Sequence, residues 1–452
     1  MPQLTEVAIN PDIPAHFEGV KANQRAVNLN ADWWRNFHLP ELSRIAKETL
    51  ESNFDIAVAQ AQIEQAEAAA RLAGVPLLPS ATLTSNVTHS KSSNFDSSRS
   101  AGEQTVHDLG LSASYEIDFW GKNRAAARAG AENLLASQYD AQIIRLSSLA
   151  AAANGYFQVL ASRQRIALAQ ANIKDASSVL RLIQQRVAVG TATGLNVAQQ
   201  QNLVDNLRAS IPPLQLSASQ NVSALALLTG RPPERFSAKG ARLSAAHLPS
   251  IAPGLPSRLL ARRPDIEAAE AQLEAASANL ASARAAFFPS IQLTASGGFQ
   301  SFALNTLLDP KNTFYSLAAG LTQPIFDNGK LQATFDQTLG NNHQLLANYH
   351  KVVVSAFTDV DKALASVRYL AAQEALQRRS LASARTAYDL SRKQLLEGTI
   401  DLVTLLNTQT AVYQAQDALV QTRLGRLQAV VSLYQALGGG WEGPELAKVT
   451  MQ

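Results

Sequence analysis

The apolar positions of this chain change period at a proline, and they do so twice. Residues 281–294 show helical spacing as far as Phe288, and after Pro289 apolar and polar residues alternate as in a strand. The same order of helix, proline and strand occurs 210 residues earlier, where residues 59–84 match residues 269–294 at 11 of 26 positions. The pattern predicts a duplicated structural unit.

Period-two alternation predicts four strands, two in each half of the chain. Residues 82–119 hold the first pair and residues 290–326 hold the second. Strands of about ten residues with one apolar face suit a tilted outer-membrane β-barrel. Because closed membrane barrels start at about eight strands, four cannot close one, and the edges of the sheet must pair with other copies of the chain.

Helical spacing predicts two very long helices, at residues 121–187 and 329–397. Each spans about 100 Å at about 1.5 Å per residue, which no globular core requires. Each long helix is followed by a tight turn and a returning helix with apolar heptads, which indicate helices packed side by side. The returning helices are predicted at residues 195–229 and 403–437, with a kink or short break at Pro212 and Pro213 in the first.

The repeat divides the chain into five segments. These are an irregular N-terminal segment 1–40, a first repeat 41–230, a Pro/Gly-rich linker 231–263, a second repeat 264–437 and a tail 438–452. In the first segment, Trp33 and Trp34 precede a helix near Pro40, and we expect both indole rings to pack against a helix bundle.

Composition narrows the kinds of partner and compartment. A net charge of +3 over 452 residues provides no phosphate-binding stripe, so nucleic acid is not expected as a partner. No run approaches the roughly 18 apolar residues of a transmembrane helix, so a bilayer would have to be crossed by strands. The first thirty residues lack a signal peptide pattern: either the protein stays in the cytoplasm or a signal peptide has been removed.

The sequence contains no pattern typical of an enzyme. There is no cysteine, no Gly-rich phosphate loop and no nucleophile motif. His343 and His350 lie seven residues apart on one helical face, but without carboxylate neighbours they make a poor metal site. We therefore expect no catalytic residues, no metal and no cofactor.

Four runs, in order along the chain, closely resemble TolC-type outer membrane factors, in particular the lipoprotein branch that serves tripartite efflux pumps. The runs are residues 261–266, 283–291, 324–329 and 434–441, and the similarity extends over nearly the whole chain from about Trp33. The resemblance implies an α+β membrane protein, a homotrimer with a 12-stranded outer-membrane β-barrel, four strands per chain, continuous with a long periplasmic α-helical barrel. It also implies a Gram-negative outer membrane location.

The same resemblance implies a passive exit channel for drugs or other small solutes. Its expected partners are a periplasmic adaptor (a membrane fusion protein), a proton-driven inner-membrane transporter and outer-membrane lipid. Members of this branch begin with a lipidated cysteine, which this chain does not encode, so an N-terminal lipid on the native protein is an expectation from the resemblance alone.

In the family the channel is shut where the helical turns of three chains crowd together, which singles out residues 190–194 and 398–402 here. Gly190, Thr191, Gly194, Gly398 and Thr399 are accordingly the candidate contacts for the adaptor.

Asp401 is the first candidate for a ring of three carboxylates at the mouth, although relatives carry the acidic residue one place earlier. The alternative is a solvated aspartate that caps the helix beginning at Leu402. Asp205 either lines the lumen or is an ordinary exposed side chain, and Arg186 and Arg392 could hold neighbouring helices by ion pairs.

Leu395 and Leu396 could form an apolar constriction, or they could pack between helices. A soluble coiled-coil scaffold also remains open for the whole chain, because the heptads and the alanine content suit one. That alternative leaves the strict alternation of the strands unexplained.

Overall fold

A computed structural model describes residues 31–91, 102–240, 242–249, 263–439 and 441. Parts of four predicted regions therefore lie outside the described residues: the N-terminal segment, the loop between the first two strands, the linker and the tail.

The described residues form eight α-helices and four strands, in the order predicted for two repeats. The helices are α1 Pro40–Ser52, α2 Phe54–Gly74, α3 Lys122–Ala188, α4 Gly194–Ala209, α5 Ile211–Leu228, α6 Pro264–Ala285, α7 Lys330–Glu397 and α8 Leu402–Ala436. The strands are β1 Ser80–Lys91, β2 Glu103–Ile117, β3 Ser290–Ser301 and β4 Thr313–Thr322. In the described ranges, no helix combines the length and apolarity needed to cross a membrane.

The chain folds into two compact units, and each unit draws on both sequence repeats. Among the described residues, one unit comprises those within 1–61, 139–267 and 350–452, and the other comprises those within 62–138 and 268–349. The repeat boundaries predicted from the sequence are therefore not the boundaries of compact units. The long helices explain the difference, because α3 and α7 each contribute residues to both units.

Two predicted helices are each interrupted by one residue. The helix predicted to begin near Pro40 is broken at Asn53, whose backbone is extended and whose Oδ1 accepts the amide hydrogen of Ile56 at 3.1 Å. An asparagine at this position caps a new helix. The break predicted near Pro212 and Pro213 occurs at Ser210, since prolines are tolerated only in the first turn, where their missing N–H is not needed.

The four strands form one antiparallel sheet in the order β1-β2-β3-β4. The third pairing, for example, places Ile291 opposite Leu321 and Thr294 opposite Ala318. The fourth strand ends at Thr322, four residues earlier than predicted, because Pro324 cannot donate to the ladder. The sheet has two edges within the chain, β1 and β4.

The register gives the sheet one apolar face and one polar face. The apolar face carries Leu83, Leu111, Leu293, Tyr315, Leu317 and Leu321. The polar face carries Thr82, Thr84, Ser112, Ser114, Gln292, Thr294, Ser296 and Ser316. Large side chains of the apolar face are exposed in the single chain, with Tyr315 86% and Leu317 77% accessible. Water would not stabilise such a surface, so it requires lipid or another protein against it.

The core of the first unit forms around aromatic rings from distant parts of the chain. Trp33 is fully buried and stacks on Tyr434 with 5.1 Å between ring centroids. Asn36 Nδ2 donates to the Tyr434 hydroxyl at 2.8 Å. Trp34 is also buried, so the predicted packing of both tryptophans against helices is confirmed.

Candidate functional site at the helical hairpin turns

The first hairpin turn, between α3 and α4, is held by backbone hydrogen bonds that require a glycine. Gly190 has a φ of 76°, in the left-handed region that side chains disfavour. Its amide donates to Val187 O at 3.0 Å, and the Thr191 amide donates to Arg186 O at 2.8 Å. These two bonds satisfy carbonyls that the end of α3 leaves without helical partners, as in a Schellman motif.

The second turn, between α7 and α8, repeats this geometry. Gly398 has a φ of 75°, its amide donates to Leu395 O at 3.1 Å, and the Thr399 amide donates to Gln394 O at 3.0 Å. The threonine hydroxyls also repeat, since Thr191 Oγ1 and Thr399 Oγ1 each donate at 3.1 Å to the carbonyl five residues earlier. The glycines of the two turns are 208 residues apart, and the hydrogen bonds around them are the same.

The turns differ in the residue that caps the returning helix. In the first, Thr193 Oγ1 accepts from the Asn196 amide at 3.4 Å, and Asn196 Oδ1 accepts from the Thr193 amide at 2.9 Å. In the second, Asp401 Oδ1 accepts from Thr404 Oγ1 at 2.6 Å and from the Thr404 amide at 2.9 Å. The hydroxyl bond from Thr404, followed by the amide bond, lowers the pKa of Asp401.

Asp401 is therefore both an exposed charge at the turn and a helix cap. The two interpretations drawn from the sequence are compatible in geometry, because one carboxylate oxygen makes both bonds to Thr404. Gly194 plays no comparable conformational part: it is the first residue of α4, and its surroundings leave open space for a side chain.

The two candidate arginines have different surroundings. Arg186 Nη2 donates to Leu396 O at 3.1 Å, so a side chain at the end of α3 reaches the end of α7. The contact is with a backbone carbonyl at a helix C-terminus, where a cation is favourable, and not with a carboxylate. Arg392 lies on the exposed surface of α7.

Asp205 lies on the exposed surface of α4 and makes its contacts within that helix. Its carboxylate accepts from Gln201 Nε2 at 2.9 Å and from Arg208 Nη1 at 3.3 Å. These are the i, i+4 and i, i+3 pairs of a helix surface.

The two adjacent leucines before the second turn have opposite environments. Leu395 is 7% exposed and packs in an apolar cluster that includes Leu381 and Val412, whereas Leu396 is 55% exposed. Leu395 is thus an interhelical packing residue within the chain, and Leu396 is the member of the pair available to a constriction.

A buried polar cluster lies deeper in the hairpins, and the sequence analysis did not identify it. Asp175 Oδ2, on α3, accepts hydrogen bonds from the hydroxyls of Tyr388 and Tyr413, both at 2.8 Å, and from Gln409 Nε2 at 3.2 Å. Burial raises the pKa of both tyrosines, and the negative charge of Asp175 raises it further. The hydroxyls therefore remain protonated donors.

A fully buried glutamine from α4 completes this cluster. Gln200 Nε2 donates to Ala176 O at 2.9 Å and to Gln409 Oε1 at 3.3 Å. The cluster thereby joins all four helices of the two hairpins. Buried hydrogen-bonded groups of this kind specify one arrangement of helices, because any displacement would leave polar atoms without partners.

Parts of this cluster left a signal in the sequence. Tyr413 lies on the heptad line of α8, and Gln409 matches Gln201 at the 208-residue separation of the two turns. In the structure the buried glutamine is the adjacent Gln200, while Gln201 contacts Asp205 on the surface. Asp175 is one of many polar residues in α3, and its spacing does not distinguish it from the others. The described residues contain no group of three or more His, Asp or Glu side chains placed to hold a metal ion.

Comparison with known proteins points to one family. The sequence profile of the family described as "Outer membrane efflux protein" matches residues 45–231 and 255–439. The pyoverdine export outer membrane protein OpmQ of Pseudomonas aeruginosa is 40% identical over 436 residues, which cover 95% of this chain and 91% of that protein. The probable efflux pump outer membrane protein TtgC of Pseudomonas putida is 31% identical over 443 residues, 97% of this chain and 91% of that protein.

Solved structures agree with these relatives. The outer-membrane channel OprN superposes with a TM-score of 0.90 at 25% identity, covering 95% of this chain and 98% of that one. The outer membrane protein VceC of Vibrio cholerae gives a TM-score of 0.86 at 26% identity, covering 91% and 100%. The predicted fold class, an α+β chain with four strands and two long helical hairpins, is confirmed.

Proposed function

This chain belongs to the outer membrane efflux protein family, and from that premise we propose that three copies form the outer-membrane exit channel of a tripartite efflux pump. One observation carries the proposal: a four-stranded sheet with an apolar face, a polar face and two edges that pair with no strand in the described chain. Three such sheets joined edge to edge make twelve strands, enough to close a barrel with its apolar face toward lipid.

The location follows from family membership. The protein is an outer-membrane channel of a Gram-negative bacterium, with a large periplasmic helical part. It works with a periplasmic adaptor and an inner-membrane transporter. We propose further that the transporter is proton-driven and that the adaptor contacts the hairpin turns, including Thr191 and Thr399. The family also decides against a soluble coiled-coil scaffold.

The mechanism requires no chemistry by the chain. A water-filled passage lined by hydroxyl and amide side chains allows a solute to move down a gradient that the transporter sets up. The names of relatives refer to pyoverdine, toluene and antibiotics. What these cargoes share is that they are small organic molecules, and that class is the cargo we propose.

Edge pairing between copies can be tested with cysteines, because the chain has none of its own. A variant with Thr84→Cys in β1 and Ser316→Cys in β4, treated with a short bis-maleimide, should run as a covalent trimer on a denaturing gel. Each single-cysteine variant should give no covalent trimer. A purified protein that stays monomeric without detergent, and shows no conductance in planar bilayers, would contradict the channel.

The turns are the proposed gate, with Asp401 contributing charge and Arg186 linking the ends of α3 and α7. A triple variant with Asp401→Ala, Arg186→Ala and Arg392→Ala should raise single-channel conductance in planar bilayers. Asp401→Asn separates the roles of the aspartate, because asparagine retains a capping oxygen but loses the charge. Arg379→Ala, an exposed arginine farther from the turn on α7, is the matched control.

Unchanged conductance and unchanged antibiotic entry in the triple variant would show that these three residues do not contribute to the gate. That result would leave the channel itself intact, because the edge pairing of the sheet is tested separately.

A further inference from the structure

In the described strands, Phe314 is the one aromatic residue on the polar face of the sheet. The register forms a cross-strand row on that face from Thr84 through Gly110 and Gly298 to Phe314. The next row toward the helices consists of Thr82, Ser112, Ser296 and Ser316. A phenylalanine is not expected on a face that lines a water-filled passage, because exposing its ring to water is unfavourable.

The two glycines of this row leave room for the Phe314 ring to lie across the neighbouring strands. A methyl group placed on Gly110, two strands away, would lie 3.7 Å from Phe314 Cζ. A methyl group placed on Gly298 would overlap the Leu109 carbonyl oxygen, so the backbone admits no side chain there. The ring therefore extends along the surface of the sheet and keeps one side open: its exposed fraction is 37%, against 86% for Tyr315 on the opposite face.

A carboxylate approaches the same point. Asp108 Oδ1 lies 3.7 Å from the methyl position of Gly110, the distance found for Phe314 Cζ. An aromatic ring and a carboxylate thus converge over one glycine. The face of a ring attracts cations and stacks with other flat rings, and a carboxylate attracts positive charge.

We propose that Phe314 and Asp108 form a contact site in the channel lumen for planar aromatic cations. The proposal rests on the trimeric channel proposed above, in which the site occurs three times around the lumen. It adds a selectivity element to a wall that is lined mainly by small polar side chains. A passing solute with a flat charged ring system stacks on Phe314 while its charge faces Asp108, and a neutral aliphatic solute does neither.

The position of the ring can be tested by cysteine modification in the full chain. Phe314→Cys channels in a planar bilayer are treated with a charged, water-soluble methanethiosulfonate. We expect current to fall in discrete steps. Tyr315→Cys, the adjacent residue on the apolar face, should show no change. If Phe314→Cys does not react, or if both variants lose current equally, the polar face does not line the lumen at this row and the proposal is wrong, although the channel still conducts.

Binding can be tested with ethidium, a planar aromatic cation, as a blocker of single channels. Phe314→Leu retains an apolar side chain but removes the ring, and Asp108→Asn retains the size of the side chain but removes its charge. Each substitution should shorten the time for which ethidium blocks the channel about fivefold. Phe314→Tyr keeps the ring, so ethidium should block this variant for as long as it blocks the parent channel.

Equal blocked times in all four proteins would show that the ring only covers the glycines, and would overturn the proposal. If Phe314→Leu fails to assemble, Asp108→Asn still tests the site, because it removes the charge and leaves the ring in place. Absence of any channel from the parent protein would instead count against the proposed function.

Discussion

The two helical hairpins of this chain, α3 with α4 and α7 with α8, use the same turn and differ in the side chains around it. Gly190 and Gly398 adopt the same left-handed conformation and make the same backbone hydrogen bonds. The caps that follow are different, because a neutral threonine stands at position 193 and a carboxylate at position 401. The shared features satisfy the backbone, and the differing features are exposed at the turn.

The same contrast appears deeper in the hairpins. The first hairpin supplies the acceptor, Asp175, and the second supplies two tyrosine hydroxyls that donate to it. The residue 208 positions after Asp175 is Ser383, so the second hairpin does not repeat the acceptor. Duplicated halves therefore agree where each satisfies its own backbone, and they differ where they contact one another.

Removing the shared acceptor should have the largest effect on this contact. In Asp175→Ala, the buried hydroxyls of Tyr388 and Tyr413 lose their acceptor. We therefore expect the free energy of unfolding to fall by about 3 kcal/mol. Asp205→Ala, an exposed aspartate of the same hairpin, should change the free energy of unfolding by less than about 0.5 kcal/mol. Denaturant unfolding in detergent, followed by helical circular dichroism, measures both. Equal effects from the two variants would mean that the cluster does not join the hairpins.

Glycine replacement tests whether the two turns are equivalent. Gly190→Ala and Gly398→Ala should each destabilise the folded state by about 1–2 kcal/mol, because both need a left-handed backbone. Gly194→Ala is the control: it replaces a helical glycine in open space, and should be neutral or stabilising by up to about 1 kcal/mol. The same unfolding measurement serves here. A marked difference between the first two variants would break the equivalence of the turns.

Substitutions of the two helix caps, Thr193 and Asp401, should have the smallest effects on stability, and these effects should differ in their dependence on pH. Thr193→Ala should lower the free energy of unfolding by about 1 kcal/mol at any pH, because a threonine cap does not titrate. The pKa of Asp401 is lower in the folded state, so its capping contribution is present above the unfolded value of about 3.9 and is lost as pH falls through the folded value.

Asp401→Asn should therefore melt at a lower temperature than the parent at neutral pH, and the difference should shrink as pH falls below about 3.9 and vanish below the folded pKa of Asp401. Thr193→Ala should keep a constant difference over the same range. A pH-independent difference for Asp401→Asn would show that the charge of the cap does not contribute to stability.

Much of the fold could be predicted from the sequence because its causes are local. A proline ends a helix, alternation marks a two-faced strand, and a glycine at position 190 or 398 permits a tight turn; each effect acts within a few residues. These features established the repeat, the four strands and the position of both turns. The break at Asn53 was missed although its cause is also local, because a single capping residue is a weak signal within a long apolar pattern.

Contacts between distant residues could not be predicted in this way. Asp175 meets Tyr413 across 238 positions, and Phe314 reaches Gly110 across 204. Each contact depends on the register of one helix or strand against another, and a shift of one residue would turn the side chain to another face. Periodicity along the chain was therefore enough to predict which elements form and which faces they carry. Which side chains meet depends on the packing between elements, because that packing sets their register.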